Sequence, residues 1–391
     1  MTIRKLSALI SRLFVALIAL MAQSGYSQTP AASTPPASPP FEFTGSGFLS
    51  ATAGRLLGGT HDPATDTGYR CPCFISDYAQ AGVYESGRLR VGPDSRVGVQ
   101  GSVMSADRRY GATAQLVSRG AADGAVNLEW AYGVVELNSR LTLQFGRKRL
   151  PLFAYSEVQD VGLAIPWTHL PPQLYGWEIV NYNGANLLYR DTWLGWATAL
   201  NVFSGSETAR NAGYWKIYNG KDSRTAARWT DILGTEWKVG RGGFEARYVY
   251  MQSYTQNRLA GEDDAGFSER KRQRIHGLSV AYDQDNWLAR AEVLWIDRTA
   301  DYGRDYAQLY VLGYRIGRFT PLVSFSNYRQ KNHDPEVAEA HHTASAVLRY
   351  DLTDTSALKV QLDVWRDRSA SGFSSMHGDS RLITISYDRV F

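Results

Sequence analysis

From Phe41 to Phe391 one pattern repeats. A stretch of about ten residues alternates apolar and polar, a short polar turn follows, then a second such stretch, then a longer polar loop. In "NWLARAEVLWID" the residues Trp287, Ala289, Ala291, Val293 and Trp295 share one parity, while Arg290 and Glu292 share the other. In "SALKVQLDVW" Leu358, Val360, Leu362 and Val364 alternate with Lys359, Gln361 and Asp363. A period of two is the period of a β-strand, because successive side chains point to opposite faces. Sixteen such stretches can be counted, and the last, "RLITISYDRVF", ends on Phe391. An even strand count with alternately short and long connections predicts an all-β, 16-stranded antiparallel transmembrane β-barrel. In a closed barrel the last strand pairs with the first, so no edge is left unpaired.

Parity alone does not say which face is outside, since a soluble sandwich would put the apolar set inward. The N-terminus decides. "MTIRKLSALISR" carries Arg4, Lys5 and Arg12, "LFVALIALMA" is a short apolar run, and "GYSQ" supplies small residues for cleavage after Ser27. Residues 1–27 read as a signal peptide, too short to span a bilayer as a helix. Residues 28–40, "QTPAASTPPASPP", read as a Pro/Ala/Ser-rich periplasmic tether, and residues 41–391 as the barrel. No other run approaches the ~20 apolar residues of a membrane helix. The 23 Tyr, 11 Trp and 36 Gly, with 20% charged residues, suit rings placed at a membrane interface. The expected location is a bacterial outer membrane, with short turns periplasmic and long loops extracellular. The formal charge of +4 falls to +1 once the three cations of the signal leave, so nucleic acid is not an expected partner.

Two stretches resemble a known family. "FGRKRLPLFAYSEVQDVGLAIPW" with "NGANLLYR", preceded by "LEWAYGVVELNSRLTLQFGR", is similar to proteobacterial outer-membrane porins of the general sixteen-stranded trimeric type, near the phosphate and dicarboxylate porins. The aromatic Phe391 on an alternating strand resembles the assembly signal of outer-membrane barrels. The resemblance implies a homotrimer and a constriction loop that folds inward after the fifth strand. The strand count independently places Leu150 to Tyr182 (150–182) after the fifth strand. That segment holds Phe153, Tyr155, Leu163, Ile165, Trp167 and Tyr175, which are costly to leave in water.

The expected function is passive diffusion of small hydrophilic solutes and ions, with outer-membrane lipid outside and no cofactor. Rings of charge set ion preference. Inward parity collects Arg96, Arg119, Lys148, Arg190, Lys238, Arg247, Arg290, Arg315, Arg349 and Lys359 against Glu129, Glu236, Glu245, Glu292, Asp351, Asp363 and Asp388. The basic excess points weakly to anions. Arg147, Lys148 and Arg149 are the candidate basic side of the pore constriction, with Glu157 and Asp160 as the acidic wall opposite. Arg147 and Arg149 share parity with outward Leu143 and Phe145, so a bulge or a rim position is needed to bring them in. Interleaving of bases with acids argues against a phosphate-specific ladder.

Cys71 and Cys73 form a possible intraloop disulfide, although a C-x-C pair is a poor frame for one. His333, His341 and His342 lack a carboxylate or Cys at ligand spacing, so no metal site is expected. The alternative functions are an outer-membrane hydrolase, or a plugged barrel acting as adhesin or scaffold. For the hydrolase, His276 and Ser279 are the best pair, yet parity turns them to opposite faces, and no G-x-S-x-G is present.

Overall fold

The computed structural model describes residues 40–60, 67–259, 266–373 and 378–391. The signal peptide and nearly all of the tether lie outside the described residues. Eighteen strands run β1 (Phe41–Gly59), β2 (Cys73–Asp77), β3 (Gly82–Glu85), β4 (Arg96–Ser105), β5 (Tyr110–Arg119), β6 (Val126–Asn138), β7 (Leu141–Arg149), β8 (Asn181–Trp193) and β9 (Trp196–Ala209). They continue β10 (Thr225–Arg241), β11 (Phe244–Leu259), β12 (Lys271–Gln284), β13 (Trp287–Arg298), β14 (Gly303–Tyr314), β15 (Phe319–Asn332), β16 (Ala340–Thr353), β17 (Ser356–Asp367) and β18 (Ser380–Val390), eighteen among the described residues. All but the β2–β3 hairpin join one closed antiparallel barrel of sixteen strands in sequence order. The seam is the antiparallel pairing of β1 with β18, from Phe48↔Val390 to Gly59↔Ser380.

The alternation has the sign expected of a membrane barrel. On β13 Trp287 and Trp295 are exposed while Glu292 is buried, and on β17 Leu358, Val360 and Leu362 are exposed while Lys359, Gln361 and Asp363 are buried. Several strands outrun their apolar stretch. β10 starts at Thr225 and β12 at Lys271, earlier than the Trp229 and His276 that open the alternating patterns. Backbone pairing does not stop where the outward residues turn polar, which is where a barrel leaves the hydrocarbon.

The barrel interior is unevenly filled. On β14 the outward residues Tyr310 and Leu312 alternate with Ala307, Leu309 and Val311, which are buried on the inward face. β14 is thus apolar on both faces, as a strand covered on both sides must be. Inward Ile275, Leu294, Ile296, Leu322 and Val347 extend this wall across β12 to β16. Across the barrel, β4 to β9 face inward with Gln100, Gln115, Thr142, Gln144, Lys148, Asn186 and Asn201. One side of the interior is therefore greasy and the other is wet.

Candidate channel interior

The segment between β7 and β8 occupies the greasy side. Its Leu150, Leu152, Phe153, Ile165, Trp167, Leu174, Tyr175 and Trp177 are buried in one core with Met251, Ile275, Leu294, Leu309 and Leu322 of the strands. Fully burying each such side chain contributes about 1.5–3 kcal/mol, so the segment is held firmly. Polar contacts fix its path round the wall. The Arg247 guanidinium donates to the carbonyls of Pro151 and Leu152. Glu292 accepts from Ala154 N–H at 2.8 Å and Tyr175 O–H at 2.9 Å. Arg349 donates to the Leu163 carbonyl at 2.8 Å. Lys359 donates to the carbonyls of Gly162 and Trp167 and pairs with Asp388 at 2.9 Å. Thr168 N–H donates to Gln361 and Trp167 Nε1–H to Ser324. These partners come from β11, β13, β15, β16, β17 and β18. The same segment reaches β5 and β6 through Asp160, and only the interior of a closed ring presents both sets of strands to one segment.

Asp160 is the far anchor. It accepts from Arg119 Nε at 2.9 Å, Arg119 Nη2 at 2.7 Å and Arg149 Nη2 at 2.6 Å. Glu129 completes the square, accepting from Arg119 at 2.6 Å and Arg149 at 2.5 Å. All four side chains are buried. Glu129 reaches this point because the β5–β6 register shifts there, so that it and Trp130 turn inward together. β7 ends at Arg149, where the chain bends inward and takes that side chain out of its outward parity. Burial alone would raise the Asp160 carboxyl, but Arg119 and Arg149 hold it well below the usual carboxylate range.

The five residues expected at a constriction therefore separate. Arg149 and Asp160 do not oppose each other across open space: they touch and neutralise each other in a dry cluster. Arg147 keeps its outward parity, donating to the Leu128 carbonyl at 2.9 Å and pairing with Glu207 at 2.5 Å. Lys148 faces inward, donating to Gln144 and lying 4.8 Å from the Tyr132 ring centre. Glu157 is exposed on the inserted segment and near enough to act electrostatically on Lys148. Of the expected lumen charges, Arg119, Glu129, Arg247, Glu292 and Lys359 are consumed in buried contacts, and Arg349 pairs with Asp351 at 2.8 Å. Arg315 lies past the end of β14 in a short turn, clamped on Asp283 at 2.6 Å, and is a rim residue rather than part of the wall. Arg190 and Arg290 face inward without a carboxylate at ion-pair distance among the described residues, and Arg290 sits over the Tyr155 ring at 4.8 Å.

The first long loop also turns inward. Hairpin residues Phe74, Tyr78, Val83 and Tyr84 are buried with Ile217, Trp365 and Leu382. Asp94, just before β4, lies 3.2 Å from His169 Nδ1, and Asp363 lies 3.4 Å from His169 Nε2. Burial disfavours the imidazolium, yet the two carboxylates outweigh it and push His169 up to about 10. The first loop, the inserted segment and β17 are thus tied by one charged histidine. Sequence reasoning missed Asp94 and His169, which belong to no period. It also missed Glu178, which accepts from Trp229 Nε1 at 2.5 Å and Trp215 Nε1 at 2.7 Å. The inward docking wall did carry a signal, namely the loss of polar alternation in "AQLYVLGY".

The remaining candidates resolve simply. Cys71 and Cys73 are joined by a disulfide with Cα atoms 4.3 Å apart. His341 and His342 lie on opposite faces of β16: His341 stacks on Trp365 and His342 packs near Phe325. No cluster of His, Cys, Asp and Glu suited to a metal occurs among the described residues. His276 lies outside on Trp295, with ring centres 4.9 Å apart, whereas Ser279 is buried inside.

A closed, even-stranded antiparallel barrel with an apolar outer band, a polar-sided interior and an inserted segment after its fifth strand has the general sixteen-stranded porin fold. No protein-family model and no curated protein matches the sequence. Solved structures match the fold at low identity. The outer-membrane protein OmpT of Vibrio cholerae aligns at 8% identity and TM-score 0.57, over 91% of this chain and 99% of that one. The outer membrane channel DcaP of Acinetobacter baumannii aligns at 11% identity and TM-score 0.57, over 91% and 99%. The anion-selective porin of Comamonas acidovorans aligns at 13% identity and TM-score 0.55, over 90% and 100%.

Proposed function

We propose that the chain is a bacterial outer-membrane porin, admitting small hydrophilic solutes by passive diffusion with a weak preference for anions. The observation that carries this reading is the division of the interior. The inserted segment covers the β11–β18 wall, leaving the amides and Lys148 of the β4–β9 wall facing the lumen. Lys148 and Tyr132 on the barrel lie together, close enough to Glu157 of the segment to feel its charge. Charges that cancel in contact add little to the field along a pore. On the strand walls the inward cations that stay accessible and make no ion pair, Arg96, Lys148, Arg190 and Arg290, outnumber the comparable acids Glu136 and Glu245, to which the inserted segment adds Glu157, among the described residues. The margin is small, hence the weak preference.

Trimer formation fits the outer face of the first strands. Across β1, β4, β5 and β6 the outward row Gly45–Gly101–Ala114–Ala131 is flat and apolar, whereas β13 to β15 present Trp, Tyr and Phe. OmpT of Vibrio cholerae, folded in vitro, was solved in a trimer form. The test is planar-bilayer recording of the refolded protein under a salt gradient. Current steps in threes with a reversal potential on the anion side support the reading, and Lys148→Gln with Arg190→Gln should move that potential toward cations. An unmoved potential would remove these two residues from the selectivity account.

One observation favours a second reading. The hairpin β2–β3, the helix Gly213–Asn219 and the segment around Trp177 close tightly on the long-loop side, with Tyr78 stacked on Tyr218 and His341. A folded barrel that carries no current would make it a plugged adhesin or scaffold.

A further inference from the structure

Three inserted pieces of chain meet at one small cavity near the long-loop end. Tyr78 comes from the β2–β3 hairpin, Trp177 from the segment after β7, and Tyr214 and Tyr218 from the helix Gly213–Asn219. Tyr328 of β15 and Glu339, just before β16, line the barrel side. The cavity holds about 10 Å³, the room that one water takes. Five aromatic rings and a carboxylate thus surround a single water-sized space, and no Lys or Arg lines it. The rings pack on one another, with centres 4.9 Å apart for Tyr214 and Tyr218 and 6.2 Å apart for Tyr78 and Tyr218.

The charge around this space does not balance. Glu339 is buried and accepts from the Tyr218 hydroxyl at 3.2 Å and from His341 Nε2 at 3.1 Å. Gln173 donates to Nδ1 of the same imidazole at 3.3 Å, so that nitrogen is an acceptor and the ring is neutral. Buried Asp305 accepts from Tyr328 at 2.8 Å and from Tyr302 at 2.6 Å. Buried Glu178, the neighbour of Trp177, accepts from the indoles of Trp215 and Trp229 and from Thr255. All of these donors are neutral. Among the described residues the one buried cation beside them is Arg298, 5.6 Å from the Trp177 ring centre, and it donates to Gln273 and Tyr302. Three buried carboxylates against one guanidinium leave two negative charges out of water, which is costly without a compensating cation.

We infer that the cavity binds one monovalent cation of water's size, ammonium or potassium, and that this ion fastens the three inserted pieces to the barrel wall. Glu339 supplies the opposing charge. The hydroxyls of Tyr214 and Tyr218, 3.3 Å apart, stand beside that carboxylate, and the surrounding rings attract a cation over their faces. A divalent ion needs several carboxylates or imidazoles at ligand distance, and no such group occurs among the described residues. Tetramethylammonium is too large for about 10 Å³. The ion enters and leaves as the hairpin parts from the helix. This inference needs only the closed barrel and is independent of conduction and of ion preference.

The test is hydrogen–deuterium exchange of the refolded barrel at one pH, in ammonium, potassium or tetramethylammonium chloride at equal ionic strength and with no other metal or ammonium ion. At about 0.1 M ammonium or potassium, taken as about ten times Kd, the hairpin, the helix and residues 172–177 should exchange about tenfold more slowly than in tetramethylammonium. The ion that protects more strongly is the occupant. Peptides of β4 to β7 should not distinguish the salts. Glu339→Gln keeps the size of the side chain and removes its charge, so it should make exchange equal in the three salts. Heat-modifiable migration confirms that the variant is folded. Equal exchange of the parent in the three salts overturns the inference, whatever the variant does. If that exchange also rises between about pH 5 and 8, after correction for the intrinsic rate, the missing charge is a proton. A salt dependence that Glu339→Gln leaves undiminished, or that β4 to β7 share, overturns the inference too. Conductance of the same samples is scored separately, so a conducting barrel without ion-specific protection defeats this inference alone, and a silent barrel with it defeats only the channel reading.

Discussion

Asp160→Asn tests how the inserted segment is held. The substitution keeps the size of the side chain and removes one charge from a buried square of two guanidinium groups and two carboxylates. Glu129 still bonds both Arg119 and Arg149, so the loss should fall near the low end for breaking a buried pair, about 3 kcal/mol. That corresponds to about a hundredfold rise in the undocked fraction of the segment. The barrel strands should survive, because their ladders do not pass through Asp160. Hydrogen–deuterium exchange read by mass spectrometry resolves the two: peptides within 150–180 should exchange about a hundredfold faster, in proportion to local opening, while peptides from β12 to β15 keep their protection. Asp160→Asn combined with Arg149→Gln leaves the neutral pair Arg119–Glu129 and should recover part of the loss. Unchanged exchange in the single variant would refute the idea that the buried square anchors the segment.

Further outcomes follow from the same contacts. At Gly162 an added Cβ would collide with the Asp388 carboxylate and the Ser50 hydroxyl. Gly162→Val should therefore lift the segment off the β1–β18 wall at a cost of about 1–3 kcal/mol, seen as altered single-channel conductance from a barrel with normal heat-modifiable migration. His169 is raised by Asp94 and Asp363 to about 10, so its contribution is complete below the unfolded value of about 6.5 and is lost as pH rises through 10. Exchange within 67–95 and 150–180, corrected for the intrinsic base-catalysed rate, should stay flat below about pH 6.5 and rise together progressively from there to about pH 10. Asp160, held low, gives its stability above the unfolded carboxylate value of about 3.9, so the square should persist in mildly acidic buffer. An opening equilibrium, obtained from exchange after that correction, that does not change between about pH 6.5 and 10 would show that the histidine link carries no stability.

How much of this was legible in the sequence depended on periodicity. The barrel strands, their parity and the seam of β18 on β1 follow from residues such as Ile383, Ile385 and Tyr387, because a membrane barrel repeats the same choice at every second position. The inserted segment was legible as an apolar stretch after the fifth strand, since Trp167 and Ile165 have no place in a watery loop. The pairing of its charges was not. Arg147, Lys148 and Arg149 are adjacent in sequence, yet the end of β7 at Arg149 sends one outward, one to the lumen and one into a dry cluster. Nor does parity distinguish an inward charge in water from one consumed by a loop: Arg247 and Arg190 have the same parity, but only Arg247 meets Pro151 and Leu152. His169 and Asp94 lie 75 positions apart by their numbers and outside any strand, so only the fold brings them together.

The most direct measurement is thiol accessibility along the two inner walls during single-channel recording. Both native cysteines are held in the Cys71–Cys73 disulfide, so single cysteines placed at Gln144 or Asn201, on the β4–β9 wall, and at Thr343 or Gln361, on the β16–β17 wall, report alone. The account expects a conducting barrel in which a charged methanethiosulfonate reagent lowers the current through the Gln144 and Asn201 variants, which are partly accessible, and leaves the buried Thr343 and Gln361 variants unchanged. Block at Thr343 and Gln361 without block at Gln144 and Asn201, or no current from any folded variant, would contradict it.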